Sequence, residues 1–386
     1  MGIASNYPSY VIFIAIFVAA AIVCVLMPGW IKLLRRNKIG QQIRADGPQR
    51  HLQKQGTPTM GGVVILAAVI VATLVLAPMN APLALAMLAT VLTGLLGFAD
   101  DFESVAHKRS LGLTPSAKLI GQALIVIIFT LAAVNVAGVS PVVSLFGLAN
   151  IDLGVLTTTI AGVQVPWLYL VFVYLLMAGF SNAVNLNDGL DGLCGGCSAV
   201  TLGVMGMVAF AQGNLGLSVF AFACVGACIG FLWFNCYPAS IFMGDTGSTF
   251  LGYMLATVSI MGLFKFYAVI SFAVPFLILG LPIFDTANAI IRRVAAGRSP
   301  MSPDRGHVHH KLIDMGFNQK QAVAILYAIS ATLGLTAVVL TSSGEVKAIV
   351  LLLAVLAAIL VGAGIIYGAE HWSKHAPENK EDKDDE

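Results

Sequence analysis

Long apolar segments alternate with short polar connections along most of the chain. Eleven segments, most of them about 18–25 residues long, carry few charges and have the length that an α-helix needs to cross a bilayer. They lie near residues 10–34, 60–79, 82–99, 118–138, 167–184, 194–212, 215–234, 249–264, 266–291, 321–341 and 346–369. The pattern predicts an all-α polytopic membrane protein with ten or eleven transmembrane helices. It lacks the strict alternation of a transmembrane β-barrel.

The ninth segment differs from the others because Pro275 and Pro282 interrupt it. Proline removes a backbone hydrogen bond inside a helix, so we expect a broken ninth helix that bends outward and opens a groove for a lipid. We interpret residues 1–369 as one membrane domain. The charged residues 370–386 are predicted to form a disordered tail. The first segment is too long for a signal-peptide core and is expected to be retained.

The composition agrees with a membrane protein. Hydrophobic residues make up 58% of the chain and charged residues only 10%, against roughly 25% in soluble domains. The formal net charge of +2 gives no reason to expect a nucleic-acid partner. The six cysteines lie in or beside apolar segments, without the four ligands of a zinc site, and are expected to pack as small apolar residues.

Basic residues are distributed unevenly among the connections. They cluster after the first, third and ninth segments, whereas the 139–166 connection contains no Lys or Arg. Because cytoplasmic loops carry an excess of Lys and Arg, we expect the N-terminus outside and the odd-to-even connections in the cytoplasm. With eleven segments, the tail is cytoplasmic too.

Acidic, amide and histidine side chains gather in those same odd-to-even connections. The set comprises Asp100, Asp101, Asn182, Asn185, Asp188, Asp191, Asn235, Asp245, His307, His309 and His310. Ionisable groups at a membrane are costly and usually functional. Each motif alone has a structural explanation, such as a helix end, a cap or a solvated loop. Their location on one face predicts a single site at the inner leaflet.

The residue types indicate the chemistry of that site. Crowded carboxylates repel one another and need a cation, and hard oxygen ligands favour magnesium, with manganese as an alternative. Magnesium usually binds through one or two carboxylates and substrate phosphates, so we expect a phosphate-bearing substrate. Lys54, Lys118, Arg298 and Arg305 are available to offset phosphate charge. Asp188 and Asp191 would share a face if they lay on a helical turn.

An ion-coupled transporter is the main rival class, because intramembrane acids also serve ion pathways. Such a protein is expected to place ionisable groups near the middle of its helices and often to contain internal repeats. This chain has its acids at segment ends and has no evident repeat. The transporter is therefore the remoter alternative.

Five motifs occur in an order that resembles a known superfamily. They are KQGTPTMGG, GFADD, NAVNLNDGLDGL, FNCYPASIFMGDTGS and a late histidine cluster. Together they resemble the polyprenyl-phosphate N-acetylhexosamine-1-phosphate transferases of bacterial plasma membranes. The resemblance implies that undecaprenyl phosphate attacks the β-phosphate of a UDP-amino sugar and releases UMP, with magnesium required. It leaves open direct attack or a covalent phospho-enzyme.

Different parts of the chain resemble two different branches of that superfamily. GPQRHLQKQGTPTMGG, KRSLGLTPSAKLIGQ and GFSNAVNLNDGLDGL resemble the enzymes that use UDP-MurNAc-pentapeptide to make lipid I for peptidoglycan. HVHH, in place of three consecutive histidines, and MGDTGSTFLGYMLATVSIMGLFK resemble the enzymes that transfer GlcNAc-1-phosphate from UDP-GlcNAc. We favour the pentapeptide branch because its signatures cover more of the chain.

The resemblance also implies roles for individual residues. Asp245 would bind magnesium, Asp100 would deprotonate or position the lipid phosphate with support from Asp101, and Asp188 would join this catalytic group. His309 and His310 would contact the pyrophosphate or the sugar. Residues expected to hold the uridine are Asn182, Asp191, Asn235 and Phe242. Further residues expected to contact substrate are Lys54, Thr59, Lys118, Asn185, Arg305 and His307. Association into a homodimer is left open.

Overall fold

The computed structural model describes residues 8–37, 39–40, 56–107, 112–145, 149–263, 291–295, 297 and 308–342. Its first four helices are α1 Pro8–Arg36, α2 Gly62–Leu76, α3 Ala81–Ala106 and α4 Pro115–Asn135. The next are α5 Trp167–Leu186, α6 Leu193–Ala211, α7 Leu215–Asn235 and α8 Gly244–Val258. A π-helical turn, Ser259–Leu263, extends α8. The last are α9 Val308–Asp314 and α10 Gln319–Ser342.

The predicted all-α membrane architecture is confirmed. Within the residues described, seven helices are long and apolar enough to cross a membrane: α1, α3, α4, α5, α6, α7 and α10. The predicted segment 60–79 is a shorter helix, α2, of 15 residues. The predicted segments 266–291, apart from residue 291, and 346–369 lie outside the described residues, as do Pro275, Pro282 and the tail.

At two acidic motifs the helix boundary differs from the sequence prediction in a way that matters for the site. Helix α3 continues to Ala106, so Asp100 and Asp101 lie inside the helix rather than at its end. Helix α8 begins at Gly244 instead of near residue 249, which places Asp245 in its first turn. Hydropathy marks where apolar character stops, whereas these helices continue through polar residues that are buried by their neighbours.

The 139–166 connection contains two β-hairpins that the apolar pattern did not predict. Strand β1 Val142–Leu145 pairs antiparallel with β2 Ala149–Asp152, and β3 Thr157–Ile160 pairs with β4 Val163–Pro166. Ala161 and Gly162, with φ of 51° and 84°, form the two-residue turn between β3 and β4. Positive φ at both central positions suits the twist of a tight hairpin.

The main apolar core surrounds α7, which packs against α1, α2 and α6. Small residues let these helices approach closely: a Cβ added at Gly226 of α7 would lie 2.1 Å from the carbonyl oxygen of Ile16 in α1. A second, separate apolar cluster joins the start of α6 to α9 and α10, with Leu193, Leu312 and Leu326 buried in it.

Glycines set the position of α8, the helix that carries Asp245. A Cβ added at Gly62, the first residue of α2, would lie 2.2 Å from the backbone nitrogen of Gly247. The Gly61 and Gly62 N–H groups donate to the carbonyls of Phe242 and Met243, both at 2.9 Å. The TPTMGG and IFMGDTG motifs are therefore in main-chain contact, which only residues without a side chain permit.

Candidate active site

Lys118 joins two acids from different helices. Its Nζ lies 2.8 Å from Asp100 Oδ2 and 2.5 Å from Asp245 Oδ2. Asn185, near the end of α5, donates from Nδ2 to Asp245 Oδ1 at 3.0 Å and to Ser248 Oγ at 2.8 Å. We call Asp100, Lys118, Asn185 and Asp245 the carboxylate–lysine cluster. It forms where the ends of α3 and α5 meet the starts of α4 and α8.

The adjacent acids Asp100 and Asp101 have different partners. Asp101 accepts hydrogen bonds from the Asp245 N–H at 3.0 Å, the Thr246 N–H at 2.9 Å and Thr246 Oγ1 at 2.6 Å. It thereby caps the N-terminus of α8, whose own N-cap residue supplies no side-chain hydrogen bond. Asp100 instead accepts from the Leu113 N–H at 2.6 Å and pairs with Lys118.

Two carboxyl groups of the cluster face one ammonium group, that of Lys118. Burial by itself would raise the pKa of Asp245. A hydrogen bond that the protonated Asp100 carboxyl donates, the charge of Lys118 and the Asn185 amide outweigh this effect and lower the pKa of Asp245. Asp245 precedes the apolar part of α8 and is 29% exposed. It therefore remains ionised and accessible to a cation.

The donor set fits magnesium as far as the chain itself supplies ligands. Among the described residues, no group of three or more His, Cys, Asp or Glu side chains is arranged to hold a metal. Magnesium, however, usually takes only one or two carboxylates and completes its shell with water and substrate phosphates. Asp100 Oδ2 and Asp245 Oδ2 already converge on one cationic atom, Lys118 Nζ. Asp245 is thus the residue that would hold the ion, with the Asp100 carboxyl beside it.

Thr59 lies next to this cluster. It is buried, and a Cβ added at Gly244 would lie 2.9 Å from Thr59 Oγ1 and 2.5 Å from Asp101 Oδ2. Gly244 itself has a φ of 77°, which a side chain would strain. The Thr59 hydroxyl therefore sits beside the capped start of α8.

Asp188 and Asp191 lie in a turn, residues 187–192, between α5 and α6, so the helical spacing considered for them does not apply. The Asp188 N–H donates to the Asn185 carbonyl at 3.2 Å, which makes the turn adjoin the carboxylate–lysine cluster. Asp191 is buried, and its Oδ2 accepts from the Ala239 N–H at 3.2 Å.

Asn235 fixes this turn to the following loop. Its Oδ1 accepts from the Gly192 N–H and its Nδ2 donates to the Ile241 carbonyl, both at 2.9 Å. Both ends of the amide are thus used by main-chain groups, although Asn235 was predicted to hold uridine. Contact of Asn235 with substrate stays a prediction. In the structure, Asn235 links the turn 187–192 to the loop that contains Ile241.

The histidine helix α9 lies against the same turn. His309 is only 2% exposed, and a Cβ added at Gly189 would lie 2.4 Å from His309 Nε2. The His309 and His310 ring centroids are 4.3 Å apart. The fold thereby brings His309, which lies 120 positions after Gly189 in the sequence, to the turn that carries Asp188 and Asp191.

Other predicted residues are less closely connected to the cluster. Asn182 donates to the Ala178 carbonyl of its own helix at 2.8 Å. Phe242 is half-buried, and its main chain pairs with Pro58 and Gly61. Stacking of Phe242 on uracil stays a prediction. Lys54, Arg305 and His307 lie outside the described residues.

Three polar residues that were not among those predicted are connected to the site. Thr246 contacts Asp101 and Ser248 contacts Asn185, and both follow Asp245 in the GDTGS motif. Alternation of hydroxyl residues with glycine after the acid was an available signal. Tyr327 of α10 donates to the Gly192 carbonyl, and no local pattern indicated this contact.

Comparison with known proteins places this site in a family. Residues 83–263 match glycosyl transferase family 4, and residues 54–66 match the phospho-N-acetylmuramoyl-pentapeptide-transferase signature 1. A phospho-N-acetylmuramoyl-pentapeptide-transferase of Geobacillus kaustophilus is 40% identical over 330 residues, which cover 83% of this chain and 95% of that protein. The chain belongs to this transferase family, within glycosyl transferase family 4.

Other members of the transferase family match over similar lengths. The proteins of Halalkalibacterium halodurans and Bacillus subtilis, with the same name, are 35% and 36% identical. The alignments cover 86% and 82% of this chain and 97% and 94% of those proteins. The matched family region, 83–263, contains the entire carboxylate–lysine cluster and the turn 187–192. The signature region contains Thr59 and Gly62.

Proposed function

We propose that the chain transfers phospho-N-acetylmuramoyl-pentapeptide from UDP-MurNAc-pentapeptide to undecaprenyl phosphate and thereby makes lipid I for peptidoglycan. The observation that carries the proposal is the 40% identity to a transferase of that name over 95% of its length. This similarity favours the pentapeptide donor over UDP-GlcNAc, the alternative raised by the HVHH sequence. It also disfavours an ion-coupled transporter.

The reaction joins two phosphate-bearing substrates. An oxygen of the lipid phosphate bonds to the β-phosphorus of the UDP-sugar, and the bond from that phosphorus to the bridging oxygen breaks. UMP leaves with the bridging oxygen, and the sugar remains on a lipid pyrophosphate. Both substrates and the transition state are highly negative, so catalysis depends on positioning and on cationic groups.

Residues of the carboxylate–lysine cluster supply those functions. The Lys118 ammonium group, 31% exposed, is available to move from the two carboxylates to a phosphate oxygen. Asp100 accepts a proton from, or orients, the lipid phosphate, and its bond to the Leu113 N–H keeps its carboxylate at the end of α3. Bound magnesium, held by Asp245, would neutralise the pyrophosphate and stabilise charge on departing UMP. Asp101 keeps Asp245 in place through the cap.

The turn 187–192 and α9 provide the donor side of the proposed site. Asp188 and Asp191 would face the uridine diphosphate, with Asn182 and Phe242 beside the base. His309 and His310 would contact the pyrophosphate or sugar, because His309 packs against Gly189 of this turn.

A site at one end of the helix bundle suits one water-soluble and one lipid substrate. We propose the bacterial plasma membrane as the location, with the N-terminus outside and the site facing the cytoplasm. The distribution of Lys and Arg among the connections supports this orientation. Labelling of single cysteines placed near Asp100 and in the β3–β4 hairpin, from each side of the membrane, tests it. Labelling of both positions from one side would contradict it.

UMP release tests the reaction itself. The purified protein in lipid nanodiscs is given undecaprenyl phosphate, Mg²⁺ and either UDP-MurNAc-pentapeptide or UDP-GlcNAc. We expect UMP with the pentapeptide donor and its loss on chelation with EDTA. Release only from UDP-GlcNAc would assign the other branch. No release from either donor would reject the proposal.

A further inference from the structure

The peptide groups on both sides of Gly192 are held by residues from two other helices. Asn235 of α7 accepts from the Gly192 N–H at 2.9 Å, and the Tyr327 hydroxyl of α10 donates to the Gly192 carbonyl at 2.6 Å. Gly192 has a φ of 83° and ends the turn that carries Asp188 and Asp191. The Gly192 carbonyl also accepts the first helical hydrogen bond of α6, from the Gly196 N–H at 3.0 Å. Because glycine is conformationally permissive, the bonds from Asn235 and Tyr327 add constraints that the backbone of the turn does not supply itself.

Tyr327 is itself held firmly in place. Its ring lies on Gly196 of α6, where an added Cβ would be 1.9 Å from Tyr327 Cζ. The ring also packs in the second apolar cluster, with Leu193 and Leu326. This cluster joins α9 and α10 to α6. The helix that carries Tyr327 is therefore anchored to the same unit as His309.

We propose that Tyr327 is a positioning residue that fixes the turn 187–192 relative to His309 and so determines how the UDP-sugar is bound. The inference rests on the proposed function and concerns the donor side of that site alone. Its hydroxyl acts through the Gly192 carbonyl and does not touch substrate. Without this bond, the buried carbonyl would keep the Gly196 N–H but lose its link to α10, and the turn would gain freedom.

Tyr327→Phe tests the proposal because it removes only the hydroxyl. We expect the KM for UDP-MurNAc-pentapeptide to rise roughly three- to tenfold, the effect of losing one hydrogen bond. The KM for undecaprenyl phosphate is expected to stay unchanged. Tyr253→Phe is the matched control, since the Tyr253 hydroxyl also donates to a main-chain carbonyl, that of Gln122, at 3.2 Å. It should leave both KM values unchanged.

A second variant disturbs the same hydrogen bond, between Tyr327 and Gly192, by displacing the tyrosine ring. Gly196→Ala would push the Tyr327 ring away while keeping its hydroxyl. It is expected to raise the KM for the UDP-sugar, and the double variant should be less than additive because both changes break one contact. A rise in both KM values, equal in Tyr327→Phe and Tyr253→Phe, would indicate general destabilisation and overturn the proposal.

Hydrogen–deuterium exchange separates this inference from the proposed reaction. In Tyr327→Phe, amides of residues 187–192 are expected to exchange faster than in the unmodified protein, while those of 244–248 do not. This measurement needs no turnover. Unchanged exchange in the turn would overturn the positioning role. Failure of the unmodified protein to release UMP would instead overturn the proposed function.

Discussion

The backbone N–H of Asp245 donates a 3.0 Å hydrogen bond to the carboxylate of Asp101, which lies 144 residues earlier in the chain. Asp101 also accepts hydrogen bonds from the Thr246 N–H and hydroxyl. A single buried acid of α3 therefore provides the hydrogen-bond acceptors for the first N–H groups of α8. Its negative charge also complements the positive end of the helix dipole. Asp245 can therefore project its own side chain towards Lys118 and Asn185.

The first prediction concerns this cap. Asp101→Asn replaces one of the two accepting oxygens with an NH2 group. This group is a donor, and it would face the N–H donors at the start of α8. We expect the free energy of unfolding to fall by about 1–2 kcal/mol and kcat to fall on the order of tenfold or more. Thermal unfolding and UMP release measure the two effects. Asp152→Asn, in the exposed β2 strand end, is the control. Equal behaviour of the two variants would contradict the cap's role.

The second prediction concerns the only cation in contact with both Asp100 and Asp245 among the described residues. Lys118→Met keeps the length of the side chain but removes the charge and leaves two carboxylates facing each other. We expect kcat/KM to fall on the order of 100-fold, as for loss of a group that stabilises transition-state charge. UMP release under saturating Mg²⁺ is the measurement.

Lys320→Met, at an exposed position in α10, is the charge-matched control for that experiment and should retain activity. Lys118→Arg should recover part of the loss, because it restores the charge with a different shape. Full activity of Lys118→Met would show that the ion pairs are dispensable for turnover.

The third prediction concerns metal binding. Asp245→Asn should abolish magnesium-dependent turnover while the thermal unfolding temperature changes little, because the Asn185 and backbone contacts remain available. Binding of Mn²⁺, followed by electron paramagnetic resonance, reports the site without turnover. We expect the bound Mn²⁺ signal to be lost in Asp245→Asn and retained in Asp152→Asn. Normal metal binding and activity in Asp245→Asn would refute the assignment.

The fourth prediction concerns the contact between α2 and α8. Gly62→Ala would place a Cβ 2.2 Å from the Gly247 nitrogen, so the two helix starts must separate. Overpacking of this kind destabilises by about 1–3 kcal/mol, and activity should fall with it. Gly179→Ala, in an exposed part of α5 with no atom within 4 Å of the added Cβ, should be neutral. Similar melting temperatures for the two variants would argue against the contact.

Much of the fold, and several of the residues that meet at the site, could be predicted from the pattern of apolar and polar residues along the chain. Hydropathy placed the helices because each membrane span must satisfy its own backbone and be apolar over a fixed length. The ends of those segments brought Asp100, Asn185 and Asp245 to one face of the bundle. The structure joins all three through Lys118 and direct hydrogen bonds. Their catalytic roles remain predictions.

Local composition and length were enough to predict the membrane helices and the polar motifs that meet at the site, because both depend only on residues close together in the chain. Helix packing, by contrast, makes Asp100 pair with Lys118 while its neighbour Asp101 caps α8, and it brings Tyr327 to Gly192. Such choices depend on how helices far apart in sequence pack and rotate against each other. That packing depends on close contacts between helices, including contacts at single glycines. The pattern of apolar residues along one segment does not reveal these contacts.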